Sequence, residues 1–511
     1  IVGMPILIIS LVFIVYALFG AYAPGFLNHR GYSIQRLVSH LYYNTEGIMG
    51  TPIGASATFI FLFIFFGALL DKTGIGQFFI DICNAIAGSY DGGPAKVAVL
   101  TSAMFGTVSG SSVSNTVGTG SFTIPMMKSL GYRPEFAGAV EASASTGGQL
   151  MPPIMGAASF LMAESLGIPY KEVAKAAIIP AILYFTGIFI MVHLESKKTG
   201  LKGLSKDSLP KIGELLMKKG YLVIPLATII YFFVLGKTAI YAGLMGIIAA
   251  GLVAIVNSIV DIILKRERSF TFNDLIDVFV NGARNIISVA VACAMAGIII
   301  GVITLTGLGL KIGAGLISIS GGISILLLML TMVSSIILGM GVPTTANYLI
   351  TSTIAAGAII GLGFEPLAAH MFVFYFGIIA DVTPPVALAA MAGAAIAKSD
   401  PLKTGFEATK LSIGAFIIPY MFVFNPQILM INTTFIEVVP ILITSLIGMF
   451  GVSAGLEGYV FRKCNFIERI LFIAAGLLSI YPEIYTDIIG IALIAVLVIL
   501  QILTRKKKAI A

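Results

Sequence analysis

The run IIGIALIAVLVILQIL, from Ile488 to Leu503, contains a single polar side chain, Gln501. A helix needs about 20 mostly apolar residues to cross the hydrocarbon core of a bilayer. Stretches of this kind recur along the chain, Ile60–Leu70 with its flanks among them. In hydrocarbon, backbone polar groups are satisfied only by helices or closed barrels. The ten-residue alternation of a membrane barrel is absent, so the fold class is an all-α polytopic membrane protein in a lipid bilayer. Only 11% of the 511 residues are charged, against about 25% in soluble domains. The net charge of +7 does not point to nucleic acid. Lys and Arg cluster in loops between apolar runs, where the positive-inside rule places them in the cytoplasm. Cys83, Cys293 and Cys464 have no metal or disulfide spacing. Residue 1 is Ile, already inside an apolar run, and the expectation is that a natural N-terminus lies upstream or was removed.

Spans are expected near 3–22, 50–70, 134–165, 172–193, 221–236, 239–258, 284–305, 366–397, 404–424, 436–456, 467–481 and 485–503. Segments 33–43, 74–88 and 273–283 mix charge with apolar residues and read as interfacial helices. Seven lysines between Lys197 and Lys219 put that loop in the cytoplasm. The same alternation puts Lys265, Arg266 and Arg268, then Lys398, then Arg462 and Lys463, then Arg505–Lys508 on the same side. Lys171 and Lys237 fall outside as lone exceptions.

Two stretches do not fit as spans, 93–128 and 322–361. In the first, eleven of the fifteen residues of GTVSGSSVSNTVGTG (106–120) are Gly, Ser or Thr. The second holds GMGVPTTAN (339–347). Both read as re-entrant hairpins. They are also copies. A shift of 232 positions lays Asn115 on Asn347, Pro134 on Pro366, Pro152-Pro153 on Pro384-Pro385, Pro169 on Pro401 and Lys171 on Lys403. Over the 57 pairs from Asn115 to Lys171 there are 13 identities, and all four prolines of the second copy meet a proline of the first. Five expected spans separate the hairpins, so the second copy is inserted upside down. Inverted repeats with broken helices are the architecture of secondary transporters.

Each copy supplies a hairpin tip, 109–116 or 339–347, and a mid-span break, 147–153 or 380–385. Paired prolines remove donors and clash with the preceding turn, and such backbone persists in a membrane only inside protein or beside a wet cavity. Freed carbonyls and hydroxyls suit a hard cation such as sodium. Helix starts beyond the tips suit a carboxylate. The hydroxyl candidates are Ser109, Ser111, Ser112, Ser114, Thr344, Thr345 and Thr383. Asn115 and Asn347 can bond the carboxylate or brace the tips, and Ser112, Ser114, Thr345 and Asn347 are the expected substrate ligands. Glu141 and Asp381 are mid-membrane charges, whose insertion costs at least ~2.5–3.5 kcal/mol. Each is read either as an ion or proton carrier or as structural, with Glu141 pairing a Lys at the cytoplasmic end and Asp381 capping the restarting helix. A structural hydrogen bond is expected of His370. Isolated glycines such as Gly243 and Gly246 read as close-packing positions. An intramembrane enzyme is set aside, because four scattered His offer neither H-E-x-x-H nor a base beside a nucleophile.

The stretch GTVSGSSVSNTVGTGSFTIPMMKSLGYRPEFAGAVEASASTGGQLMPPIMGAASFLMAE resembles the fused membrane subunit of tripartite ATP-independent periplasmic (TRAP) transporters. LGMGVPTTANY and AAHMFVFYFGIIADVTPPVALAAMAGAAIAKSDPLKTG resemble the second half of the same subunit. The resemblance covers about 45–430. It implies an elevator-type transporter of a prokaryotic inner membrane, with basic loops and C-terminus cytoplasmic. Uptake would be driven by an ion gradient, usually sodium with protons as an alternative, and no other cofactor. An extracytoplasmic substrate-binding protein would deliver a carboxylate such as a C4-dicarboxylate, sialic acid, keto acid or glutamate. By motif the first cation site would use Ser109, Ser111, Asn115, Gly147 and Pro152. The second would use Gly339, Gly341, Thr344, Thr383 and Pro384. The implied organisation is 1–44, the end of a small-subunit-like region; 45–92, a scaffold span and interfacial helix; 93–193, the first transport repeat; 194–283, a cytoplasmic loop and scaffold helices; 284–424, the second transport repeat; and 425–511, C-terminal helices. The rival reading is a sodium or proton/dicarboxylate symporter working without a binding protein.

Overall fold

The apolar runs are helices in the computed structural model, which describes residues 4–263 and 270–510. The basic cluster at Lys265, Arg266 and Arg268 lies outside the described residues. Among those residues, nine helices are long and apolar enough to cross a membrane, and none of the three cysteines is paired. Both hairpins and both broken spans are present. The first hairpin is Gly93–Ser109 with Ser112–Ser129, and the first broken span is Pro134–Gly148 with Ala158–Leu166. The second hairpin is Ser324–Gly339 with a return arm from Thr344 to Gly361, and its broken span is Pro366–Ile379 with Leu388–Ala397.

The duplication reaches further back than the proline match. Adding 232 to Ile75–Ala87 gives 307–319, and a helix lies at Leu308–Ser320. Adding it to Thr51–Lys72 gives 283–304, inside the helix Phe272–Thr306. Each repeat is therefore a scaffold helix, an arm helix, a hairpin, a broken span and a closing span. The arm helices lie against the hairpins of their own repeats. The Leu308–Ser320 arm is a correction to the sequence reading, which has no element there. Its sequence, LGLKIGAGLISIS, is rich in glycine, which lowers intrinsic helix stability by about 1 kcal/mol per residue. Packing on the second hairpin holds it instead.

Segment 273–283 is not a separate interfacial helix. It forms the first turns of Phe272–Thr306, whose 35 residues start at a Thr271–Asp274 capping box. Its acids are matched by a lysine: Lys72 Nζ lies 3.1 Å from Asp274 and 3.0 Å from Asp277. The expected span 467–481 is the 13-residue helix Phe466–Leu478, about 20 Å long at 1.5 Å per residue. Gly246 packs as expected, since a methyl there would meet Ile229 at 2.6 Å.

The two repeats interlock. The second half of the second broken span crosses the first half of the first one, with Gly393 against Gly138. A methyl on Gly393 would lie 2.5 Å from the Gly138 carbonyl oxygen. Met4–Phe19, Ala239–Ile263 and Phe272–Thr306 form the flanking scaffold with Thr51–Lys72. Of the C-terminal helices, Phe435–Glu457 packs on the closing span Tyr170–Thr199 of the first repeat, and Phe466–Leu478 and Ile484–Ile510 pack in turn on Phe435–Glu457 and on each other.

Candidate functional site

Each tip is a turn that a glycine makes possible. Gly110 adopts φ +61° after Gly93–Ser109, and Gly341 adopts φ +72° before Pro343. L-residues with a Cβ avoid that region. At the first tip the Ser111 hydroxyl caps the returning helix by accepting from the Ser114 N–H, 3.4 Å away. Each break follows the same plan. Pro152-Pro153 and Pro384-Pro385 are both cis. The chain is closed across the first break by Gly156 N–H donating to Gln149 O (2.8 Å) and across the second by Ala389 N–H donating to Asp381 O (2.9 Å).

Tips and breaks meet around a cavity of about 350 Å³. Its wall holds Ser109–Val113 from the first tip, Gly341 and Pro343–Thr345 from the second, Met155 and Asp381 beside the breaks, and Phe63 and Ser288 from the scaffold. Of the sequence-predicted residues, Ser109, Ser111, Ser112, Gly341, Thr344 and Thr345 line this cavity. Ser114 is exposed on the far side of its helix and is not on the cavity wall.

The remaining predicted residues sit behind the wall. Asn115 and Asn347 are fully buried. Their amides donate to Ser102 O (3.0 Å) and Gly377 O (2.8 Å), so both brace their tips against the body of the repeat. Gly339 makes room for one of them, since a methyl there would lie 2.3 Å from Asn347 Nδ2. Gly147 is a flat seat for Tyr184, whose ring a methyl would strike at 2.1 Å, and its carbonyl already accepts from Leu150 N–H. Thr383 donates to Ile379 O at 2.8 Å. Pro384 packs against Gly405, and Pro152 faces a separate recess beside Lys175 and Ile178.

Asp381 does not cap the restarting helix with its side chain. Its Oδ2 accepts from Ser112 Oγ of the first tip at 2.5 Å and from Gln149 Nε2 of the first break at 3.3 Å. Gln149 is the +232 partner of Asp381, so equivalent positions of the two repeats touch. Sequence reading passed over Gln149, although the shift pairs it with a buried acid. Glu141 does not pair with a lysine. Ser102 Oγ donates to its Oε1 at 2.6 Å and Ser145 Oγ at 3.2 Å, and Thr119 and Thr123 reach the same carboxylate. The nearby Lys128 instead donates to Ala397 O at 2.6 Å, a cation at a helix C-terminus. His370 makes the structural bond expected of it, 2.7 Å from Tyr348 OH.

Several buried oxygens have no hydrogen-bond partner, among them Ser109 Oγ, Gln149 Oε1 and Asn347 Oδ1. Gln149 Oε1 lies near the first tip, since a methyl on Gly156 would be 3.2 Å from it and 3.5 Å from Gly110 O. The donors around the cavity are thus oxygens of hydroxyls, amides and carbonyls with one carboxylate, a set that suits hard cations.

Residues 1–437 match the family model for the DctM component of the tripartite ATP-independent periplasmic transporter. The match takes in the Met4–Phe19 helix, which the resemblance had put at the end of a small-subunit-like region. The chain is 28% identical over 358 residues to the isethionate TRAP transporter permease protein DctMQ of Oleidesulfovibrio alaskensis, covering 69% of this chain and 53% of that one. It is 29% identical over 150 residues to the C4-dicarboxylate TRAP transporter large permease protein DctM of Pseudomonas aeruginosa, covering 29% of this chain and 34% of that one. It thus spans about half of the first and a third of the second. It is 23% identical to the 2,3-diketo-L-gulonate TRAP transporter large permease protein YiaN of Escherichia coli, over 73% of this chain and 86% of that one. Its fold is similar to the crystal structure of the Alcanivorax borkumensis YdaH transporter, with a TM-score of 0.50 and 14% identity over 83% of this chain and 99% of that one. The chain therefore belongs to the DctM component family of TRAP transporters, a family of transport proteins and not of enzymes.

Proposed function

We propose that the protein is the membrane permease of a TRAP transporter that takes up a small carboxylate, with sodium as the coupling ion, by sliding its hairpin-bearing body against the scaffold. One observation carries the reading. Both tips line one cavity, with Met155 and Asp381 at the breaks beside them and residues of Thr51–Lys72 and Phe272–Thr306 on its other wall. Alternating access by rigid movement of one body against another around such a site is the common transporter design.

The ligand classes follow from the walls. The helices Ser112–Ser129 and Thr344–Thr351 begin at the cavity, and helix starts offer N–H groups and partial positive charge to a carboxylate. The hydroxyls of Ser112 and Thr345, on the same wall, set its orientation. The solutes named for the relatives, isethionate, C4-dicarboxylate and 2,3-diketo-L-gulonate, are all organic anions. Sodium would be held beside the tips by oxygens such as Ser109 Oγ and Gln149 Oε1 in the first repeat. Thr344 Oγ1 and the carbonyls around Gly341 would serve in the second. The partner is an extracytoplasmic binding protein that delivers the anion to the face opposite the basic loops.

Uptake into proteoliposomes tests this, with the cognate binding protein present or absent and sodium or proton gradients imposed in turn. The expected result is saturable carboxylate uptake that needs both the sodium gradient and the binding protein. Ser109→Ala and Thr344→Ala, which remove one proposed ligand from each repeat, should weaken sodium activation while leaving the fold intact. Unchanged sodium activation in both would remove the cation assignment, and full uptake without the binding protein would favour an independent symporter.

A further inference from the structure

We infer that a recess around Lys171 and Lys237 is an entry vestibule for the carboxylate, closed off from the central cavity by the stacked rings of Phe63, Phe160 and Tyr170. The inference rests on the transport reading above and names the route by which the anion reaches its site.

The recess has a volume of about 410 Å³ and is lined by Phe160, Glu164, Tyr170, Lys171 and Lys237, among others. Phe160 also lines the central cavity, as does Phe63. One layer of rings therefore stands between the two spaces. Phe63 stacks on Phe160 with centroids 4.6 Å apart, and Phe160 on Tyr170 at 4.1 Å. The layer joins both bodies: Phe63 is on the scaffold helix Thr51–Lys72, whereas Phe160 and Tyr170 are on the broken span and closing span of the hairpin-bearing body. A sliding motion between the bodies must part this stack.

The partition is tied to the site it covers. Tyr170 OH donates to Pro153 O (2.9 Å) and Ile154 O (2.6 Å), carbonyls of the first break. Those carbonyls immediately precede Met155, on the cavity wall. Withdrawal of the Tyr170 ring would release both of them.

The charges outside the partition suit an anion. Lys171 and Lys237 also come from different bodies. A methyl on Gly236 would lie 3.7 Å from Lys171 Nζ, and Lys237 Nζ lies 5.9 Å from the Tyr241 ring centroid. Among the described residues neither lysine has a carboxylate within ion-pair distance, whereas Lys72, Lys198 and Lys410 each have two. Two lysines against Glu164 leave the recess with one net positive charge. A charged recess with low-dielectric walls concentrates the opposite ion. The helix Tyr170–Thr199 has 30 residues, so Lys171 lies about 40 Å from Lys198 at 1.5 Å per residue. That sets the recess on the face opposite the basic loop. Lysines on that face run against the positive-inside rule, and anion capture is a reason for them.

Two experiments test the inference. The first compares uptake by the parent with Lys171→Gln/Lys237→Gln at several salt concentrations. The expected outcome is a severalfold higher KM, a flatter salt dependence and a kcat near the parent's. An unchanged KM and salt dependence would overturn the vestibule. A weakened affinity for the loaded binding protein, measured on permease in nanodiscs, would also overturn it, by making the lysines a docking patch. The second places Ser288→Cys on the central cavity wall, with the three native cysteines replaced, and adds an impermeant anionic thiol reagent from the lysine face. Labelling should be slow, and Phe160→Ala should accelerate it severalfold. Equal rates in both backgrounds would overturn the partition. A parent protein without carboxylate uptake would sink the transport reading instead, and the labelling comparison would still report on the partition.

Discussion

Among the described residues, the side-chain hydrogen-bond partners of Glu141 are all hydroxyls. Ser102, Thr119, Thr123 and Ser145 all aim at it from the hairpin arms and its own helix. Replacing it with Ala strands these groups away from water, and a buried group left without its partner costs about 1–3 kcal/mol. Glu141→Ala is therefore expected to lower the thermal stability of the purified protein clearly, and Glu141→Gln, which keeps an acceptor in place, to lower it much less. At Asp381 the same physics bears on transport. Ser112→Ala deletes a hydrogen bond to a charged oxygen, worth ~1.5–3 kcal/mol, so kcat/KM for uptake should fall about 10- to 100-fold. Both acids were legible, because a charge inside an apolar run is conspicuous. Their partners were not, because a Ser or Thr within a helix also reads as a packing residue. The clues were there. Asn115, Thr119 and Thr123 form a stripe four residues apart, and Gln149 sits at the register position of Asp381.

At the level of helices, glycine decides which pairs come close. Phe435–Glu457 and Phe466–Leu478 meet along Gly448, Gly451 and Gly476. A methyl on Gly476 would lie 2.6 Å from Gly448 O and 2.7 Å from Val452 N. Gly476→Leu is expected to destabilise the C-terminal helices by ~1–3 kcal/mol, the usual cost of overpacking, and limited proteolysis of the loop at Tyr459–Cys464 should become faster. Hairpins, breaks and spans were legible because proline pairs and apolar length act locally. The arm Leu308–Ser320 was not, because its stability comes from a hairpin adjacent in space. The continuous Phe272–Thr306 helix was hidden for a related reason. Asp274 and Asp277 read as interfacial charge until Lys72, two hundred residues earlier, is seen beside them.

For the whole molecule, the proposed motion divides the helices into a scaffold and a hairpin-bearing body, and the C-terminal helix Phe435–Glu457 packs on Tyr170–Thr199 of the latter. Met449 fills a notch between Gly187 and Gly414, 2.7 and 3.0 Å from methyls placed there. Glu457 accepts from Lys198 at 2.6 Å and Lys410 at 2.8 Å, one lysine from each repeat. A short thiol cross-link between Gly187→Cys and Met449→Cys is therefore expected to leave uptake intact. The same link between Phe63→Cys and Phe160→Cys, which spans the two bodies, is expected to stop uptake until it is cleaved. The inverted plan was legible from four prolines, but contact between the copies was not, because a repeat in sequence does not say which of its positions meet. Gln149 and Asp381 do meet, and equivalent positions can touch only on the dyad that relates their halves. In an ancestor built from two identical subunits, that side chain would have faced its own twin. Paired aspartates would repel in a dry site, and paired glutamines would carry no charge at all. Fusion into one polypeptide removes the constraint, and a lone carboxylate steadied by an amide is an asymmetry that no homodimer could have placed on its axis.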